Sequence, residues 1–235
     1  MAKKNKEISS SNLIKVKPIT EGQKSVFETW KKVQNQFLFG CAGTGKTFIS
    51  LYLAMQDVLD LKTKYDKVIL VRSLIPTREI GFLPGDEEDK AALYQVPYQN
   101  MVKFMFEQPN EQAFNMLYDR LKNQGSLYFL STSFLRGLTF DNSIIIVDEC
   151  QNLNFHELDT ITTRVGQDSK IVFWGDFSQT DLLKQNEKNG LHDFLRILME
   201  MQEFNCIEFN IGDIVRSGFV RKNLIQKTKL GMGME

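Results

Sequence analysis

The chain has 235 residues, with Lys plus Arg and Asp plus Glu equal at 29 each. That length allows one large domain or two small ones. The balanced charge gives no overall pull toward nucleic acid or acidic membranes, although local patches still do. No apolar run approaches the roughly 20 residues that span a bilayer. Three scattered cysteines, Cys41, Cys150 and Cys206, without a C-x-x-C pair, fit a reducing, cytoplasmic compartment.

In chain order, residues 1–17 read as a basic, polar tail that frays, with no secretion signal. Strand-length apolar runs follow at 35–40, 67–72, 126–131, 143–148, 170–176 and 205–211. Helical periodicity fills 47–61, 154–165 and 187–204. A stretch from 75 to 124, holding Pro76, Pro84, Pro97 and Pro109, reads as a helical insertion. Solid apolar strands alternating with helices predict an α/β fold, with a mostly parallel sheet covered on both faces. His156 and His192 lack metal-ligand spacing and read as solvated helix residues.

"GCAGTGKT", residues 40–47, follows the first strand and opens a helix. It fits the pattern of a phosphate-binding loop at every fixed position. Gly40, Gly43 and Gly45 permit the positive φ angles that turn N–H groups inward, and Thr44 lies between the last two. Those N–H groups and the helix start cradle phosphates. Lys46 adds a charge at the outer phosphates, and Thr47 offers a hydroxyl to Mg²⁺.

"IIIVDEC", residues 144–150, is a buried-type strand ending in two carboxylates. An unpaired buried carboxylate is costly, so something must compensate for it. Downstream of a phosphate loop, that something is Mg²⁺ held by Asp148, with Glu149 placed to activate water. The competing reading makes either acid a helix N-cap. "VFWGDFSQTDL" (172–182) is a third strand end. Gln179 is a candidate sensor of the γ-phosphate or its water, while Asp176 reads equally as a cap. Arg216, after the last strand, is a candidate γ-phosphate arginine, from its own chain or from a neighbour in a ring. Gln23 lies just upstream of the loop. It suits an adenine edge, and it suits equally a capping box with Thr20.

With "FGCAGTGKT", "IIIVDECQN" and "WGDFSQTDL" the chain resembles the PhoH-like family of predicted ATPases. "VRSLIPTREIGFLPGDEEDK", "TSFLRGLTFDNS" and "DIVRSGFV" carry the likeness from about Pro18 to Gly231. The resemblance implies one RecA-like P-loop domain over 18–231, similar to the motor core of superfamily 1 helicases. It implies ATP and Mg²⁺ as ligands and ATP hydrolysis. It assigns adenine to Gln23 and the γ-phosphate to Arg216. It also implies RNA or single-stranded DNA as a partner, rings of six, and a bacterial or phage-encoded member acting in the (host) cytoplasm. Cys150 stands where such members usually carry alanine, a small apolar exchange. The short stretch before Pro18 leaves no room for the PIN-type nuclease domain of some relatives, so ribonuclease activity is not expected.

Candidate strand contacts are Arg72, Ser73, Arg78, Thr132, Arg136 and Arg164, a weak signal because phosphate contacts need no fixed spacing. Tyr94, Tyr98, Phe104 and Phe106 are candidate stacking residues, although their helical spacing favours core. The alternative functions are a nucleotide-driven switch or assembly ATPase without nucleic acid and, last, a small-molecule kinase.

Overall fold

The computed structural model describes residues 6–73, 87–176 and 190–230, with the backbone alone for residues 87–92. Six strands form one sheet: β1 (Asn35–Gly40), β2 (Lys67–Arg72), β3 (Leu127–Ser131), β4 (Ser143–Val147), β5 (Lys170–Gly175) and β6 (Phe204–Phe209). Their spatial order is β3-β2-β4-β5-β1-β6, and every pairing is parallel. Seven α-helices accompany it among the described residues: α1 (Glu21–Thr29), α2 (Lys46–Leu59), α3 (Glu87–Met105), α4 (Glu111–Asn123), α5 (Phe155–Thr162), α6 (Leu191–Glu200) and α7 (Gly218–Lys229).

The strands bury both faces, which is why they read as solid apolar runs. Along β4, Ile144 and Ile146 join a core shared with α1, α2, α3 and α4. Ile145 and Val147 join a second core, shared with α5 and α6. Each buried isoleucine contributes roughly 1.5–3 kcal/mol. Two cores on opposite faces of one parallel sheet make three layers, the RecA-like plan of a P-loop NTPase. The strand-period alternation also fixes the site. Residues in phase with Ile144 and Ile146 face α2, the helix that follows the phosphate loop.

Several boundaries differ from the sequence reading. β6 ends at Phe209, because Asn210 caps a 3₁₀ turn at Ile211–Asp213, its amide N–H bonding the Asp213 carboxylate at 2.8 Å. α6 ends at Glu200, and the chain enters β6 four residues later. In the stretch between β2 and β3, α3 and α4 form, with Pro97 inside α3. Tyr98 and Phe106 are core there, whereas Phe104 is exposed and meets Phe48 edge-on at 5.7 Å.

The fraying expected of residues 1–17 is corrected for the described part. Ile8 and Leu13 are buried in the α2-side core. Tyr52 Oη donates to the Ile14 carbonyl at 3.0 Å and accepts from Val16 N–H at 3.2 Å. Lys6 Nζ donates to the Val58 and Asp66 carbonyls. Two apolar anchors and a tyrosine clamp outweigh the polar composition that suggested a free tail. His156 is exposed on α5 as expected, but His192 is half-buried on α6.

Candidate nucleotide-binding site

The site lies where β1, β5, β4 and β2, adjacent in the sheet, end together. The phosphate loop leaves β1 and enters α2. Gly40, Gly43 and Gly45 have φ of +114°, +72° and +86°. Gly40 admits no substitute, since a Cβ there would lie 2.2 Å from the Phe209 carbonyl oxygen. Gly45 is the left-handed N-cap of α2, and no side chain caps that helix start. The first-turn N–H groups are therefore left for a ligand.

Lys46 is the first residue of α2 and only 3% exposed. Its Nζ donates to the carbonyls of Gly40 at 3.2 Å and Cys41 at 2.7 Å. It also pairs with Asp176 Oδ1 at 2.7 Å. Asp176 follows β5 in phase with Val172 and Trp174, whose side chains pack in the α2-side core. The cap reading of Asp176 did not anticipate this ion pair.

Asp148 follows β4, also in phase with the α2-side residues, and is 3% exposed. Its Oδ1 has no hydrogen-bond partner among the described residues. Its Oδ2 lies 3.6 Å from Arg72 Nη1. Burial pushes the Asp148 carboxyl well above its ordinary range; Arg72 opposes this, and Glu149 and Asp176 add to it. Arg72 is itself held by Tyr98 Oη at 3.4 Å and over the Tyr94 ring at 5.5 Å. Arg72 was a candidate strand contact in the sequence, and the structure makes it the counter-charge to Asp148. Across four strand ends the charges run Lys46, Asp176, Asp148, Arg72: two neighbouring carboxylates with a cation at either end.

Glu149 sits in the left-handed region at φ +52°, ψ +48°. That conformation costs a non-glycine residue about 1–2 kcal/mol. It starts a 3₁₀ turn at Cys150–Asn152, but its side chain makes no capping bond. Instead Glu149 Oε2 accepts from Gln151 Nε2 at 3.3 Å and from Asn152 Nδ2 at 3.2 Å. Cys150 is buried, and burial pushes its thiol up, as expected of an inert apolar replacement.

The residues present fit a Mg²⁺ ion. A buried carboxylate with one orphaned oxygen lacks the positive charge that a hard cation supplies. Thr47, on the first turn of α2 next to Lys46, carries a hydroxyl suited to the same ion. No cluster of three His, Cys, Asp or Glu forms a closed metal cage among the described residues. Asp148 and Thr47 therefore suit an ion that keeps water and phosphate oxygens as its other ligands.

The family described as PhoH-like protein matches residues 15–227. This chain belongs to the PhoH-like family. A PhoH-like protein of Synechocystis is 32% identical over 208 residues, 88% of this chain and 60% of that protein. Protein PhoH of Escherichia coli K12 is 30% identical over 206 residues, 87% of this chain and 56% of that one. Protein PhoH2 of Bacillus subtilis is 36% identical over 145 residues, 61% of this chain and 32% of that one. The chain thus spans 60% or less of the length of these relatives. The large terminase of a thermophilic bacteriophage, solved in complex with ADP, aligns with TM-score 0.48 and 13% identity over 89% of this chain and 50% of that one. That likeness is too loose to carry any residue assignment.

In this PhoH-like chain, Gln23 is 4% exposed and both ends of its amide are engaged. Nε2 donates to the Thr44 carbonyl at 3.0 Å, and Oε1 accepts from Ile19 N–H at 2.9 Å. Thr20 Oγ1 accepts from Gln23 N–H at 3.3 Å, which is half of the capping box. These bonds use one Nε2–H and one lone pair of Oε1, so an adenine contact by Gln23 would have to use the second donor and the second lone pair. Their partners make Gln23 a brace behind the phosphate loop. Gln23→Ala is therefore expected to weaken ATP and GTP binding alike, by about 0.5–1.5 kcal/mol or threefold to tenfold. Loss confined to ATP, in parallel titrations of the two nucleotides, would support the adenine role instead.

Arg216 is exposed, and it lies against the phosphate loop of its own chain. A Cβ on Gly43 would be 3.0 Å from Arg216 Cγ, and Val215 N–H donates to the Gly43 carbonyl at 3.0 Å. Helix α7 follows and lies over the same loop. Leu224 would be 2.8 Å from a Gly43 Cβ. Gln179 and Arg78 lie outside the described residues. Thr132 Oγ1 donates to Glu157, Arg164 bonds the Leu138 carbonyl, and Ser73 is buried. Of the described strand-contact candidates Arg136 is the most open, with its Nη2 3.4 Å from His156 Nε2. Phe134, 56% exposed, is its neighbour on the turn after β3. No described helix is long and apolar enough to cross a membrane.

Proposed function

We propose that this chain is a Mg²⁺-dependent ATPase whose turnover is coupled to single-stranded RNA or DNA. The observation that carries hydrolysis is the pair beyond β4: Asp148 buried with an orphaned oxygen, and Glu149 turned past it by a strained backbone. Binding alone needs the first acid but not the second. When bound, Mg²⁺ would neutralise phosphate charge between Thr47 and Asp148. Lys46 binds the outer phosphates, Glu149 takes the proton of the attacking water, and Arg216 of the same chain offsets charge on the γ-phosphate. The contact of Arg216 with its own Gly43 supports the same-chain arrangement over the ring model.

Coupling to nucleic acid rests on family membership and on the exposed Phe134–Arg136 turn beside the strand ends, an aromatic and a guanidinium suited to a base and a phosphate. The balanced charge, 29 against 29, favours instead a nucleotide switch acting on a protein partner. Hydrolysis measured with Mg²⁺, with and without single-stranded RNA or DNA, separates the two. Stimulation that fades as salt rises from about 50 to about 200 mM is expected. Turnover unchanged by either strand would overturn the coupling and leave the switch.

A further inference from the structure

We infer that Gln151 is a positioning residue that ties Glu149 to the ion pair holding Lys46, an inference that rests on the ATPase reading of this site. Gln151 lies in the 3₁₀ turn after Glu149. Its Nε2 donates to Glu149 Oε2 at 3.3 Å, and its Oε1 accepts from Asp176 N–H at 3.2 Å. One partner only accepts and the other only donates, so a single amide orientation satisfies both. Asn152 Nδ2 donates to the same Glu149 oxygen at 3.2 Å. Two amides thus fix Oε2 and leave Oε1 as the oxygen for water.

The other end of this chain of contacts is Lys46. An ammonium has three N–H donors. Here they serve the carbonyls of Gly40 and Cys41 and the carboxylate of Asp176, with the Thr44 hydroxyl a longer fourth partner at 3.5 Å. A phosphate reaching Lys46 must displace one of them. The carbonyls belong to the loop backbone. The Asp176 side chain is 35% exposed and is repelled by a phosphate of like charge. Its departure bears on the backbone N–H that Gln151 holds, and through Gln151 on Glu149. Phosphate occupancy at the loop is thereby linked to the placement of the base, two groups from different strand ends.

A merely structural tie between the β4 turn and β5 would destabilise the site without acting through Glu149. The two are separated by combining substitutions. Gln151→Leu keeps volume and loses both bonds. It is expected to lower kcat roughly tenfold to a hundredfold, with the Kd of a non-hydrolysable ATP analogue changed less than about twofold. In a Glu149→Gln background the same substitution is expected to add no further loss, because its effect passes through the carboxylate already removed. Gln151→Glu keeps an acceptor for Asp176 N–H and loses the donor to Glu149. It should show the same kcat loss, and it carries the test if Gln151→Leu fails to bind nucleotide. Full kcat in these variants, or an equal loss with and without Glu149, would overturn the positioning role. Wild-type protein that hydrolyses no faster than Glu149→Gln would instead overturn the ATPase reading itself.

Discussion

Glu149→Gln is expected to bind ATP with near wild-type affinity and to hydrolyse it about 10²–10⁴-fold more slowly, the range for removing a general base. The substitution is isosteric. A glutamine carbonyl accepts the same bonds from Gln151 and Asn152 that now reach Glu149 Oε2. The left-handed backbone at φ +52° is equally strained in both, so the turn has no new reason to move. Lys46, the loop glycines and Asp148, the residues proposed for the phosphate and cation contacts, are untouched. What disappears is the basicity of Oε1. Single-turnover hydrolysis alongside equilibrium binding of the nucleotide makes the comparison. A variant that turns over at the wild-type rate would remove Glu149 from the role of base.

The phosphate loop and the acid pair were legible because their chemistry is local. Glycine spacing dictates positive φ at three positions, and the period of a strand dictates which residues share a face. The partners of those residues were not legible, because strand order brings them together. Arg72 reads as a basic residue after an apolar run, a candidate strand contact. It becomes the counter-ion of Asp148 only because β2 pairs with β4. Asp176 reads as a cap, and reaches Lys46 only because β5 lies between β4 and β1. Gln23 shows a different limit. Its N–H completes half of the expected box, but its amide goes to Ile19, just before the cap, and to Thr44 in the phosphate loop. Helix α7 is not among the segments that the sequence marks as helical. Most of its residues face solvent, so its apolar periodicity is weak, and Leu224 reaches the loop at Gly43. The N-terminal residues misled in the opposite sense: a polar composition concealed two anchors, Ile8 and Leu13.

Asp148→Asn should abolish Mg²⁺-dependent hydrolysis and yet leave the nucleotide-free protein more stable at neutral pH. The carboxyl is buried, one oxygen is unpartnered, and the opposing Arg72 is too distant at 3.6 Å to reverse the effect of burial. An acid whose folded pKa is raised binds more protons in the folded state than in the unfolded state. Its penalty is therefore absent below the unfolded value of about 4 and grows as pH rises toward the folded pKa, above which it is complete. A neutral amide of the same shape carries no such penalty, and Arg72, a quarter exposed, can turn to solvent. The stability difference between Asp148→Asn and wild type should open as pH rises above about 4 and close in acid. Mg²⁺ with a non-hydrolysable ATP analogue should narrow it from the other side, by stabilising wild type and not the variant. Thermal unfolding across pH, with and without those ligands, reads both trends. A variant less stable than wild type throughout would mean that Asp148 is satisfied within the fold and is not held in reserve for a cation. A residue kept at a cost to stability, at the mouth of a phosphate loop, is the physical answer to why an apolar strand ends in two carboxylates.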